Sequence, residues 1–427
     1  MIATMKVMFG IFLVLLACKP SNFENSCDIS SNLFLQSLVV KTMRGDISPH
    51  CGIKITTNIC DLDFPSVIQT ENSQQFLHEL NFQSQQGSSA NPTYDSTSIS
   101  VPAASFRWSG SVLAPNGKIY SIPYQATSVL IIDPVTNSAD ITSIVGLTGS
   151  NKWNGGVLAP NGKIYGMPFS STSVLIIDPK TNTADTTSIT GLGTGSKWNG
   201  GVLAPNGKIY GIPSESDSVL IIDPVTNTAN TTTITGLGAG GNKWSSGVLA
   251  PNGKIYGIPY NVTDSVLIID PVTNTANTNT ITGLSGSYRW SSGVLAPNGK
   301  IYGIPNDTTN VLIIDPLKNT AETTSIATIS GTTKWIGGVL APNGKIYGIP
   351  ASSDVVLIID PSNNSVDTTT ITGLVGVNKW NGGTLAPNGK IYGIPFSTTT
   401  NSVLILDPKS NGSFCPSILE SSYLNKF

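Results

Sequence analysis

The sequence predicts an all-β chain folded as one seven-bladed β-propeller, and three observations carry the prediction. The seven tryptophans, Trp108, Trp153, Trp198, Trp244, Trp290, Trp335 and Trp380, recur every 45 or 46 residues. Between consecutive tryptophans the chain offers four strand-like segments separated by turn signals. A segment ahead of the first repeat matches the piece that the last repeat lacks.

Each tryptophan is followed by a variant of GGVLAPNGKIYGIP, and the octet LAPNGKIY is identical in all seven copies. GVLA reads as a first strand and KIYGIP as a second, with Asn-Gly between them predicting a two-residue hairpin. VLIID is a continuous apolar run, expected as a third strand buried on both faces. A thinner, more polar fourth strand is expected in the Thr-rich stretch, such as Thr186 to Leu192. Repeats of about 40–50 residues with four strands are propeller blades, and such small sheets must stack into a closed ring to hide their apolar faces.

The closure is legible too. After Asp407 the last copy breaks off, whereas Asp95-Ser96-Thr97-Ser98-Ile99 reproduces Asp185-Thr186-Thr187-Ser188-Ile189, and Ile99 precedes Trp108 by nine residues as Ile189 precedes Trp198. Residues 95–101 are therefore expected to complete blade seven, giving a propeller over 95–411. A closing segment adds to the outer edge, so the GVLA strand should be innermost and line the channel. Glycine at its start suits the crowding there.

Composition narrows the partners. Charged residues make up 11% of the 427 residues and the net charge is −2, against a usual charged fraction of about a quarter, so there is no basic footprint for nucleic acid. Thr, Ser, Asn and Gly must wet the surface, which suits strands and turns.

The chain opens with a lone cation at Lys6, an apolar run from Val7 to Leu16, then Ala17 and Cys18, the layout of a signal peptide over residues 1–17 and too short to span a bilayer. Leu15-Leu16-Ala17-Cys18 resembles the lipobox of bacterial lipoproteins, although Leu16 departs from its tightest form. That resemblance implies cleavage before Cys18, acylation of Cys18 and a membrane anchor; an ordinary signal peptide is the alternative. Both readings place the protein outside the cytoplasm, as an outer-membrane or surface lipoprotein of the bacterial cell envelope or as a secreted protein. Cys27, Cys51, Cys60 and Cys415 then form an even set of disulfide candidates with three possible connectivities. Complete pairing would tie the tail, residues 412–427, to the N-terminal segment, residues 18–94. That segment also carries Arg44-Gly45-Asp46 and a polar linker from Phe82 to Pro92.

The strands nearest the channel carry no carboxylate, histidine or cysteine in any copy, and both histidines, His50 and His78, precede the repeats. No cofactor, metal or catalytic residue is therefore expected, and no enzyme. Asp133, Asp178, Asp223, Asp270, Asp315, Asp360 and Asp407 each precede proline or close a strand and read as turn initiators, with Asn137 in a left-handed turn position.

The blades resemble the YVTN-type repeats, with their strand and Asp-Pro turn, and the streptogramin-lyase type, with its PNG-like hairpins. The lyase resemblance implies a catalytic histidine in the propeller, which this chain lacks. A gluconolactonase-like resemblance would imply metal-binding acids at the channel, and none are placed there. The APNGKIY and LIIDP units resemble most closely those of spirochaete-type lipoproteins, which implies an address and a fold but no activity.

Two features remain as candidate sites. A cation precedes each tryptophan: Arg107, Lys152, Lys197, Lys243, Arg289, Lys334 and Lys379. They form either a ring of charge at one channel mouth that attracts an anion, or, as favoured here, a structural set in which Trp packs between blades and the cation is solvated or stacked. The loops after GIP and those between blades vary among copies and share one face. They present Phe106, Tyr124, Phe169, Phe396 and Tyr260 as ligand-binding candidates, with aromatics gathered on blades seven, one and two. Glu215, Asp217, Asp264, Asp307 and Asp354 lie on blades three to six. The expected function is a monomeric binding or adhesion module for a protein or carbohydrate; a scaffold without its own ligand is the alternative, and a hydrolase or lyase the remaining one.

Overall fold

The computed structural model describes residues 91–409. The signal peptide, Cys18, Cys27, Cys51, Cys60, Cys415, the Arg44-Gly45-Asp46 tripeptide, both histidines and the C-terminal tail lie outside the described residues. Within them, 28 strands form seven four-stranded antiparallel sheets. Blade one is typical, with Trp108–Leu113 innermost, then Ile119–Pro123, Leu130–Asp133 and an outer Ser138–Asp140. The innermost strands of consecutive blades touch all the way round, Trp380–Leu385 against Trp108–Leu113 included.

Ring closure follows the sequence argument with a shifted register. Thr93–Asp95 pairs antiparallel with Leu404–Asp407 and supplies the outer strand of blade seven. The ladder thus starts two residues before the expected 95–101. Fourth strands elsewhere are likewise three residues long, Thr183–Asp185 rather than Thr186 to Leu192. The reason is the closing aspartate. Asp185 accepts the Thr187 N–H at 2.7 Å and the Ser188 N–H at 3.1 Å, turning the chain off the sheet before the Thr-rich run begins. That run then travels back along the blade as an ordered coil, with Ile189 buried and its carbonyl accepting the Val174 N–H. Ile99 does the same for Val403, and Ser100 bridges Ser402, so residues 95–101 still bind blade seven.

The Asn-Gly hairpin is also longer than the two-residue form expected. The Gly117 N–H donates to Ala114 O at 2.9 Å, which makes Pro115 and Asn116 the central pair and puts Gly117 in the left-handed region at φ 77°. Proline at the first central position presets φ for a type I turn, and glycine supplies the bulge that restores the strand twist.

The core lies between blades. Trp153 packs with Val112, Tyr120 and Ile122 of blade one and with Ile164, Leu175 and Ile177 of blade two, and burying each such aliphatic side chain contributes about 1.5–3 kcal/mol. Its indole N–H donates to Ser173 O at 2.7 Å. On the face carrying the hairpins a polar latch joins each blade to the next. Asn161 Nδ2 donates to Tyr165 Oη and to Pro224 O of blade three, both at 3.0 Å, and Tyr165 Oη donates to Asn227 Oδ1 at 2.8 Å. Asn227 stands in the left-handed region at φ 50°. Asn388 and Tyr392 reach Pro134 and Asn137 of blade one in the same way, closing the ring. The Asp-Pro aspartates cap these turns: Asp133 accepts the Val135 N–H at 2.9 Å and pairs with Lys118 at 3.3 Å.

Candidate functional site

The opposite face carries the variable loops. Beyond each tryptophan the innermost strand bulges, and at Gly337 a Cβ would come within 2.7 Å of the Gly382 Cα, so blades six and seven crowd one another at the axis, whereas the equivalent Gly200 has 4.0 Å to the Ser246 Cα. The residues following the tryptophans ring a central well of about 160 Å³. Its wall is polar, with Ser109, Asn154, Asn199, Ser245, Ser291 and Asn381, and is broken by the single aliphatic Ile336. Among these, Asn154, Asn199 and Asn381 are partly exposed. Tyr260 and Asn306 descend into the well from the loops of blades four and five.

On the same face the structure brings four of the five sequence-selected aromatics into one row, while the fifth, Tyr260, lines the well. Phe169 lies 5.8 Å from Tyr124, Tyr124 lies 6.1 Å from Phe396, and Phe396 lies 5.1 Å from Phe106, ring centre to ring centre. The row crosses blades two, one and seven; Phe106 is exposed and the other three are partly so. Tyr260, the fifth, stands apart across the ring and meets Tyr288 edge to face at 5.4 Å. Burial, followed by the charge of Asp307 and by Tyr288, pushes the Tyr260 hydroxyl up to about 12. Sequence reading missed Tyr288, although it precedes Trp290 by two residues as Phe106 precedes Trp108. Both hold left-handed φ, 52° for Phe106 and 48° for Tyr288, a conformation that costs a bulky side chain about 1–3 kcal/mol. In each case the turn aims the ring at the loop of the preceding blade.

The seven cations do not stand free at the channel mouth. Each is buried and sits 5.3–5.9 Å from the ring centre of its tryptophan. An ammonium cannot be buried without acceptors, and the loops supply them. Lys152 Nζ donates to Tyr124 O at 3.2 Å, Ala126 O at 2.9 Å and Gly149 O at 3.0 Å. Lys197 Nζ holds Phe169 O at 3.0 Å and Ser171 O at 2.9 Å. Arg107 Nη2 reaches Ser397 O at 3.0 Å and Thr400 O at 2.6 Å, while its Nη1 donates to Pro102 O. Each cation thus clamps the variable loop of the blade before it, and in blades one, two, four and seven that loop bears an aromatic.

Electrostatically the ring is lopsided. Burial lowers Lys152 and Lys197 to about 8 and Arg107 to about 10, and no carboxylate opposes it. Burial also lowers Lys243, Arg289, Lys334 and Lys379, but there acids work against it: Asp217 and Glu215 on Lys243, Asp264 on Arg289, Asp307 on Lys334 and Asp354 on Lys379. The acids of blades three to six therefore oppose the effect of burial at four of the seven cations, although Lys379, opposed by Asp354, still falls to about 8. Two also brace their loops, Asp217 accepting the Gly238 N–H at 2.6 Å and Asp307 the Thr333 N–H at 2.5 Å. Among the described residues, no group of three or more His, Cys, Asp or Glu side chains is arranged to hold a metal ion.

Solved structures share this architecture. Streptogramin B lyase superposes with a TM-score of 0.59 at 11% identity, covering 75% of this chain and 98% of the lyase. A catalytically inactive virginiamycin B lyase from Staphylococcus aureus, with quinupristin, gives 0.58 at 11% identity over 74% of this chain and 99% of its own. The extracellular domain of a hybrid two-component system from B. thetaiotaomicron gives 0.56 at 11% identity over 77% of this chain and 44% of that one. The chain shares the β-propeller fold with these streptogramin B lyase-type neighbours. At such identities the likeness is one of fold alone. No protein-family model and no curated protein sequence matches the chain.

Proposed function

We propose that this protein is an extracytoplasmic binding module that recognises its ligand on the variable-loop face, across the row formed by Phe169, Tyr124, Phe396 and Phe106. The observation that carries the reading is the row's continuity. Four aromatic side chains from loops of three adjacent blades touch in sequence on an accessible face, where aromatic groups are preferred contact residues for sugars and proteins. The polar well on the same face adds amide and hydroxyl groups that can orient a bound molecule. Lipid anchoring through Cys18 is part of the same proposal and rests on the first eighteen residues of the sequence. Solved extracellular domains among the structural neighbours agree with an extracytoplasmic address. We assign the well itself no catalytic role, because the innermost strands bring no histidine, cysteine or carboxylate to it among the described residues.

The test is an array of glycans and host-matrix proteins probed with the soluble protein starting at residue 19, beside a variant with Tyr124→Ala, Phe169→Ala and Phe396→Ala. Specific binding that the triple variant loses, with its melting transition kept, supports the module. Binding that survives all three substitutions overturns the assignment of the face, and binding by neither protein turns the reading to a scaffold without its own ligand.

A further inference from the structure

The seven buried cations are equivalent by position, yet their surroundings are not. In the loops after GIP, the residue two places before the third strand's valine is Asp217 in blade three, Asp264 in blade four and Asp354 in blade six. Blade five carries Asp307 nearer the start of its loop. Each of these acids acts through space on the cation of the following blade, without a direct ion pair among the described residues. At the matching place blades one, two and seven have Thr127, Thr172 and Asn401. The three cations beneath those loops, Lys152, Lys197 and Arg107, therefore have no counterion among the described residues. These three loops are also the ones that carry Tyr124, Phe169 and Phe396. Aromatic loops and uncompensated cations coincide on three contiguous blades of the seven.

Three positive charges held in a low-dielectric wall project their field toward the surface that covers them. They cannot form direct ion pairs. Lys152 spends its three N–H bonds on carbonyls, so the charge acts through space. Arg107 Nε is buried without a partner. An anionic group lying on the aromatic row would meet this field.

We propose that the ligand of the aromatic row is an acidic oligosaccharide, whose sugar rings stack on Phe169, Tyr124, Phe396 and Phe106 while its carboxylate or sulfate groups lie in the field of Lys152, Lys197 and Arg107. This rests on the reading of the row as the binding surface. A sugar is favoured over an acidic peptide because the row is a shallow, tilted strip, with successive rings inclined by 47° and 49° around Tyr124. Asn154, Asn199 and Asn381, which line the central well on the same face, suit hydroxyl groups.

The experiment compares oligogalacturonides bearing free carboxylates with their fully methyl-esterified forms, the same sugar without the charge, alongside a heparin octasaccharide and a poly-glutamate peptide. Binding is measured by calorimetry on the protein starting at residue 19. The free acid or the sulfated octasaccharide is expected to bind, to weaken as salt rises, and to exceed the methyl ester by about tenfold or more. Thr127→Asp and Thr172→Asp place in blades one and two the acid that blade three already carries. Each should lower affinity for the acidic sugar by about tenfold with no loss of melting temperature, whereas Thr127→Asn and Thr172→Asn should leave the affinity as it is. Equal binding of the acid and its ester, no binding of either acidic sugar, or poly-glutamate binding as well as they do overturns the proposal. The two readings fail separately: a neutral ligand lost in the Tyr124, Phe169 and Phe396 triple variant keeps the surface and discards the charge, while acidic-sugar binding indifferent to that triple variant discards the surface.

Discussion

Replacing Asn161 by aspartate tests whether the blades are joined by their latches as well as by their apolar cores. Asn161 Nδ2 donates two hydrogen bonds at 3.0 Å, one to Tyr165 Oη and one across the blade boundary to Pro224 O. Aspartate keeps the shape and the acceptor for the Lys163 N–H, but offers Pro224 O a second acceptor in place of a donor. Two net hydrogen bonds at about 1 kcal/mol each, with a carbonyl left facing a carboxylate, give a loss of about 2–3 kcal/mol. Tyr165→Phe removes the fully buried hydroxyl and its bond to Asn227, a loss of about 1–2 kcal/mol. Because the two variants share one bond, the double variant should fall short of their sum by about 1 kcal/mol. Guanidinium unfolding is the assay, followed by tryptophan fluorescence, since Trp153 and Trp198 lie in the cores on either side of blade two. A cost for Asn161→Asp below about 0.5 kcal/mol, or strict additivity with Tyr165→Phe, would refute a role for the latch in stability.

Two further outcomes follow from the fold. Gly337→Ala forces a Cβ to within 2.7 Å of the Gly382 Cα at a φ of 88°, whereas Gly117→Ala, at φ 77°, meets nothing within 4 Å. The first should destabilise by at least about 1 kcal/mol more than the second, and chemical unfolding of the pair that shows equal costs would deny the crowding of the innermost strands. Acid should spare the protein until about pH 4 and destabilise it progressively below. The Ser98 and Ser188 hydroxyls hold Asp95 and Asp185 at about 2, and Asp140 reaches the same value against its burial through Ser143 and Thr142. A carboxyl depressed by folding contributes stability above its unfolded value, and that contribution is lost as pH falls through the folded value. A melting temperature flat from pH 6 to 2 would contradict it.

Elements whose function is written in a repeat were legible in the sequence. The tryptophan interval, the buried VLIID strand and the displaced Asp95–Ile99 segment each gave the architecture through a constraint that all copies share. What was misread depended on a single side chain overriding a propensity. The Thr-rich stretch has the residues of a strand, yet Asp185 and its equivalents end the ladder after three residues by drawing N–H groups to a carboxylate. Pro115 likewise moved the hairpin turn back by one residue. At the site, the aromatic row could be inferred from loop position alone. Its coincidence with uncompensated cations could not, because the cations read as equivalent until the structure showed which loop covers each one. Tyr288 was within reach, marked by the position it shares with Phe106.

The contrast between the two faces has a physical cause. The latch works through side chains: Asn161, Tyr165 and Asn227 must each be themselves, and a change at any of them loses a bond across the blade boundary. The clamps on the other face work through backbone. Lys152 holds the carbonyls of Tyr124 and Ala126, Lys197 those of Phe169 and Ser171, Lys243 those of Ser214 and Ser216, and Lys379 those of Ala351 and Ser353. A lysine that binds the first and third carbonyls of a loop is indifferent to the side chains at those positions. The loop can then exchange tyrosine for phenylalanine, serine or alanine without giving up its anchorage to the next blade. Stability and recognition are thereby placed on different atoms of the same segment. That separation is what allows seven nearly identical blades to carry a face on which no two neighbouring loops are alike.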